Sequence, residues 1–463
     1  MRVIQANEGI MSTIWSKNPY TGERIKEYHK DTSTSIQEKL KTARSVQKEW
    51  SDKTIEERCE LLRNVSELLL ERKEEYAKLM TTEMGKPISQ SIAEMEKCAW
   101  ACDFYAFNAE DLLADEIIET DAEESFISYD PLGCILAVMP WNYPFWQVMR
   151  FAAPTLTAGN TGILKHAQNV PGCSKALEQL FLDAGYPKGC FQAILAGHEE
   201  IEELIGNDGI KAVTLTGSEK AGRGIAQAAG KNLKKSVLEL GGNNACVVFE
   251  DADLDKYLDT MVQARMQNTG QSCIAAKRFI VCSEIYDEFL ERFVGATKKL
   301  AVGNPLDKDT YIGVLARADL ADTLKEQVDK SLEKGAQLIV GNKKEGAYFE
   351  PTVLTEVKPG MPAFDEETFG PVAAIIRADN RKHAVELANK SSYGLGSMLF
   401  TGDFEHALAL IPEISDGAFF VNDMVKSDPR LPFGGTKNSG YGRELSREGI
   451  LEFVNKKTVY IKN

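Results

Sequence analysis

At 463 residues, 43% hydrophobic and 27% charged, the chain exceeds what one hydrophobic core organises and reads as a soluble protein of two or three domains. Its net charge of −15 excludes a nucleic-acid partner, which needs a basic face, and no apolar run approaches the ~18 residues of a membrane span. Nine scattered cysteines without a Cys-x-x-Cys pair, and five histidines without ligand spacing, predict reduced thiols and no metal.

The opening stretch, Met1–Ile10, lacks the apolar run of a signal peptide, so a cytoplasmic location is expected, with Met11 as an alternative start. From Thr34 to Ala114 the chain is rich in Leu, Glu, Lys and Ala at helical spacing, most clearly over Leu61–Leu70. Phe126–Tyr129 and Cys134–Met139 predict strands on either side of a turn at Asp130–Gly133. Strands at Thr161–Lys165, Phe191–Leu195, Lys211–Thr216 and Ser236–Leu240 then alternate with helices at Pro171–Ala184, Glu199–Ile205 and Ser218–Ala229. That alternation predicts an α/β fold with a parallel sheet covered by helices. A second alternating block runs from Ala245–Phe249 to about Ala418 and includes helices at Ala252–Gln267 and Ile285–Leu300. The tail Thr458–Lys462 is an isolated strand that must pair elsewhere, with the strands around 126–139 of its own subunit or of a neighbour.

Chemistry concentrates in a few short runs. Cys273 follows the turn-prone Asn268-Thr-Gly-Gln-Ser272, and Glu239 stands upstream in Leu238-Glu-Leu-Gly-Gly242. A thiol can attack a carbonyl, and a carboxylate can activate the water that releases an acid. Gly217 and Gly222 fall in a strand-to-helix turn, where a helix N-terminus can approach an anion, although the spacing is not Gly-x-Gly-x-x-Gly. Ser218 fits an N-cap there. Lys165 closes a strand, the end at which ligands bind in parallel sheets.

Together these runs resemble the aldehyde dehydrogenase superfamily. The resemblance extends from Asn18-Pro-Tyr-Thr-Gly-Glu23 to Pro432-Phe-Gly-Gly-Thr-Lys-Asn-Ser-Gly440. It rests on five ordered motifs: Pro140-Trp-Asn-Tyr-Pro144, Thr216-Gly-Ser218, Leu238–Gly242, Gly270-Gln-Ser-Cys273 and Glu366-Glu-Thr-Phe-Gly-Pro371. Within the superfamily, Pro140–Gln147 and Leu164–Ala167 are most similar to bacterial succinate-semialdehyde dehydrogenases. The resemblance implies Cys273 as nucleophile, Glu239 as the base for deacylation, and Asn142, with the Cys273 backbone N–H, as the oxyanion donor. It implies cofactor contacts from Trp141, Lys165, Gln168, Gly217, Ser218, Gly222, Leu240, Glu367 and Phe369. It also implies a Rossmann-type cofactor domain (1–122 and 140–240), an α/β catalytic domain (241–435) and a small β oligomerisation flap (123–139 and 436–463). The expected assembly is a homodimer or homotetramer.

Many relatives that prefer NAD carry a glutamate three residues after the lysine; here that position is Gln168. A neutral amide does not repel a 2′-phosphate, so the expected cofactor is NADP or NAD, with NADP favoured. Arg150 follows Asn142 by eight positions, a little over two helical turns, and is the expected contact for a substrate carboxylate, with Ser427 and Arg430 as further contacts. A second arginine found in some relatives is replaced by Gln267, and Arg265 would substitute only if the helix turned. The implied reaction is NAD(P)-dependent oxidation of succinate semialdehyde through a cysteine thiohemiacetal and thioester. Two alternatives stay open: the same chemistry on a neutral aliphatic or hydroxy aldehyde, with Arg150 in a structural ion pair, and a non-catalytic scaffold of the same fold.

Overall fold

The helical periodicity between Thr34 and Ala114 resolves, in a computed structural model that describes residues 13–462, into four helices: Ser33–Ser51, Ile55–Glu71, Lys73–Met84 and Ile88–Leu112. The readings made for Met1–Ile10 and Met11 lie outside the described residues. Thr54 starts the second helix with a capping box to Glu57, and Leu62, Val65 and Leu69 line its buried stripe.

Two sheets carry the rest. The first has six strands, in the order Gly440–Tyr441, Lys235–Glu239, Ile210–Thr216, Cys134–Met139, Thr161–His166 and Phe191–Ile194. All pairs are parallel except the Gly440–Tyr441 edge. The second has seven strands, with Gln337–Val340 antiparallel at one edge followed by parallel Thr352–Thr355, Val372–Ala378, Arg278–Cys282, Ala245–Val248, Ser397–Phe400 and Phe419–Val421. The helix expected at Ala252–Gln267 runs over Leu254–Met266, capped by the Asp253 carboxylate.

The tail strand, Val454–Ile461, pairs antiparallel with Glu124–Pro131, and Glu116–Ile117 adds a third strand. Cys134–Met139 does not join them. It is the inner strand between Ile210–Thr216 and Thr161–His166, so the boundary expected at 139 falls just after the strand Glu124–Pro131. The reason is visible in the residues. Cys-Ile-Leu-Ala-Val-Met is almost continuously apolar and almost wholly buried, as a parallel strand covered on both faces must be. The segment 436–453 also leaves the flap. Gly440–Tyr441 completes the first sheet, and Thr436–Lys437 pairs with Tyr393–Gly394.

Parallel strands place their carboxyl ends together. Register pairs Val138 with Lys165 and Leu215, and Thr216 with Glu239, so Trp141, Lys165, Gly217 and Glu239 share one rim of the first sheet. The amino ends of the second sheet face that rim, because Ala245, Arg278 and Ala374 pair across it shortly after Gly242, Cys273 and Phe369.

Candidate active site

Cys273 is half-buried in the loop between the helix Leu254–Met266 and the strand Arg278–Cys282. Three consecutive residues before it, Asn268, Thr269 and Gly270, have φ of 55°, 53° and 73°. Two non-glycine residues in the left-handed region are strained and persist only when their surroundings over-determine them. Here Asn268 Nδ2 donates to the carbonyls of Asn142 (2.8 Å) and Gln271 (3.1 Å), and Thr269 Oγ1 accepts from Gly313 N–H. Gly270 admits no side chain, since a Cβ would come 2.3 Å from the Gly370 carbonyl oxygen.

Buried cations hold the rest of the loop. Lys277 Nζ donates to the carbonyls of Ser272 and Cys273, each at 2.7 Å, and pairs with Glu367 at 3.3 Å. Burial pushes Lys277 down to about 8. Arg265 is fully buried and donates to the carbonyls of Gly270 and Gly370, so it clamps the nucleophile loop and is no contact for a substrate carboxylate. Gly242 touches this loop directly, where an added Cβ would lie 2.7 Å from the Cys273 carbonyl oxygen.

The sulfur therefore sits in a fixed frame. Burial raises the Cys273 thiol to about 11, against the opposing pull of Lys277 and Arg150. Asn142, buried, gives one amide hydrogen to the Gln271 carbonyl at 3.1 Å, which leaves the second free beside the loop. The Cys273 backbone N–H makes no hydrogen bond among the described residues. Two open donors close to one sulfur are what a developing oxyanion requires.

Glu239 ends its strand buried, and neither carboxyl oxygen has a hydrogen-bond partner among the described residues. Desolvation, then the neighbouring Glu444, raises it well above the usual carboxylate range. A base for work near neutral pH needs such a rise. Glu444, which the sequence reading missed, pairs with Arg150 at 2.7 Å, and both are buried. Arg150, expected at a substrate carboxylate, forms this ion pair, while its Nε and Nη2 make no hydrogen bond among the described residues. Glu444 belongs to Tyr441-Gly-Arg-Glu444, and nothing in that run marks its distant partner.

A cavity of about 1450 Å³ opens beside this frame and brings together Trp141, Lys165 and Gln168. Trp141 meets Phe369 edge-on at 5.7 Å. Glu367 accepts from Gly242 N–H at 3.0 Å. Gly217, Ser218, Gly222 and Leu240 lie outside the cavity lining. Ser218 caps the helix Glu219–Lys231. Gly222, expected at the cofactor, packs against Leu240, where an added Cβ would come 2.6 Å from the side chain. The cavity fits a dinucleotide on its own chemistry. Lys165 has no carboxylate partner among the described residues, and burial depresses its pKa. The buried Nδ2 of Asn169, in the lining and unforeseen from the sequence, has no acceptor among the described residues. A cation and an orphan donor suit phosphate and ribose oxygens.

The sequence model described as "Aldehyde dehydrogenase family" matches residues 5–459. The chain belongs to the aldehyde dehydrogenase family. It is 49% identical over 447 residues to a Synechocystis sp. protein described as "Probable succinate-semialdehyde dehydrogenase", NADP(+)-dependent by name, covering 96% of this chain and 98% of that one. It is 45% identical to an Escherichia coli K12 succinate semialdehyde dehydrogenase named for NAD(P)+, covering 96% and 97%. The crystal structure of Streptococcus pyogenes succinic semialdehyde dehydrogenase with NADP+ aligns with a TM-score of 0.95 at 36% identity, over 97% of this dehydrogenase and all of that chain.

Proposed function

We propose that the protein oxidises succinate semialdehyde to succinate with NADP or NAD as hydride acceptor. The observation that supports the chemistry is that Asn142 bonds the loop of Cys273 and Glu239 is near enough to act on the Cys273 thiol, beside a cavity suited to a dinucleotide. Full-length relatives 44–49% identical and named for this substrate support the choice of aldehyde.

Cys273 gives up its proton to solvent as the aldehyde arrives, and its thiolate sulfur bonds to the carbonyl carbon. The second amide hydrogen of Asn142 and the Cys273 N–H receive the oxyanion. The nicotinamide, when bound, supplies the acceptor for the hydride that leaves that carbon, and a thioester on Cys273 remains. Glu239 takes a proton from water, whose oxygen adds to the thioester carbon. The carbon–sulfur bond breaks, succinate leaves and the thiolate is restored. Lys165 and Asn169, which line the cavity, would hold the dinucleotide, with Glu367 and Phe369 toward its nicotinamide end. Gln168, exposed on the cavity wall, leaves room for a 2′-phosphate.

The protein works in the cytoplasm as a homodimer or homotetramer. All nine cysteines are unpaired, in keeping with a reducing compartment. Support for assembly comes from Val454–Ile461, an eight-residue edge strand paired, among the described residues, on one side only. Steady-state rates with succinate semialdehyde and butyraldehyde, each with both coenzymes, test the assignment. Preference for the acid aldehyde is expected; equal specificity constants would move the reading to neutral aldehydes.

A further inference from the structure

We propose that Lys97 holds the substrate carboxylate and selects an acid aldehyde over a neutral one, an inference that rests on the substrate proposed above. Lys97 is half-buried on the helix Ile88–Leu112. Its Nζ donates to Ser427 Oγ at 2.9 Å and lies 4.3 Å from the centroid of the Trp146 ring. Trp146 Nε1 donates to the same Ser427 oxygen at 3.0 Å. Having accepted twice, the Ser427 hydroxyl keeps its own proton to donate, and the ammonium keeps two.

Every acidic group that acts on Lys97 is already engaged. Glu94 pairs with Lys86 and accepts from the N–H groups of Phe145 and Trp146. Asp428 is held bidentately by Arg430, which leaves Arg430 exposed and committed. Arg150 belongs to Glu444. Among the described residues no carboxylate forms an ion pair with Lys97. A desolvated cation without a counterion is costly, and a binding site is where that cost has a use.

Placement agrees. Trp146 opens the helix Trp146–Thr157, one turn before Arg150 and four residues after Asn142, so Lys97 covers the start of the helix whose preceding loop holds the oxyanion donor. Arg150 acts on both the Cys273 thiol and the Lys97 ammonium, so both groups lie near it. A short acid aldehyde has a carbonyl for Cys273 and Asn142 at one end and a carboxylate for Lys97 and Ser427 at the other.

The test compares wild type, Lys97→Met and Lys97→Arg in kcat/KM for succinate semialdehyde and for butyraldehyde. The Met variant should cut the ratio of the two constants by about 30-fold, chiefly through KM of the acid aldehyde. The Arg variant should restore it to within about threefold. In wild type the ratio should fall as pH passes about 8, where burial and Arg150 place Lys97 against the weaker opposing pull of Cys98, Glu94 and Asp428; in the Arg variant it should hold. A ratio unchanged in Lys97→Met, or proportional loss with both aldehydes, overturns the role of Lys97 alone. A wild type with no preference overturns the substrate assignment and this inference with it.

Discussion

Arg150 Nη2 lies 2.7 Å from Glu444 Oε2, and both side chains are almost wholly buried. The pair joins the helix Trp146–Thr157 to the Phe433–Glu444 bridge, and the Arg150 guanidinium also covers the Phe433 ring at 4.6 Å. Removing one partner leaves a buried charge uncompensated. Glu444→Gln should destabilise the protein by about 3–5 kcal/mol in urea unfolding, and Arg150→Met should do the same. The double variant should recover a large part of the loss. Single variants as stable as wild type would show that the pair is not formed in solution.

Asn142→Ala removes the amide donor beside the sulfur. The expected result is a fall in kcat of about 10²–10³ with coenzyme affinity retained. Coenzyme binding followed by fluorescence, alongside turnover, separates a lost oxyanion donor from a misfolded site.

Glu239→Gln keeps the shape of the base and removes its ability to take a proton. Rapid mixing with aldehyde and coenzyme should give a burst of reduced nicotinamide equal to the active sites, then a slow steady rate limited by thioester hydrolysis. Intact-mass measurement should find the acyl group on Cys273. A variant with no burst would place Glu239 before hydride transfer rather than after it.

Without ligands the Cys273 thiol is pushed up to about 11, mostly by burial. Its alkylation by iodoacetamide should therefore be slow at neutral pH and rise about tenfold per pH unit until near that value. Lys277→Met should move the profile upward, because it removes the cation that most favours the thiolate. A profile that levels near pH 7 would contradict the burial seen here.

Gln168→Glu places a carboxylate on the cavity wall. Specificity for NADP should fall by about tenfold or more, while NAD is little affected, through repulsion of the 2′-phosphate. Kinetics with both coenzymes check this.

The parallel strands were readable because a strand covered on both faces must be apolar throughout, and the nucleophile, base and amide were readable because each sits in a short ordered motif. Cys134–Met139 shows where adjacency misleads. A turn at Asp130–Gly133 looks like a hairpin, yet the unbroken apolar run before Trp141 already distinguished it from the more exposed Glu124–Pro131. Arg150, Lys97 and Gly222 were harder for a different reason. Their environments are set by Glu444, Ser427 and Leu240, all distant along the chain or brought close only by folding, and no local periodicity encodes such a partner.

The backbone around residues 268–273 is tied at once to the rim of the first sheet through Asn142, to the 366–370 loop through Arg265 and Lys277, and to Gly313 through Thr269. Such a segment cannot take its shape piecemeal. The first sheet alone supplies Asn142 and Glu239 but no nucleophile, and without the docked second sheet Cys273 would sit in a slack loop. Turnover of the aldehyde therefore requires both sheets docked, with the donor, the base and the sulfur brought to one rim.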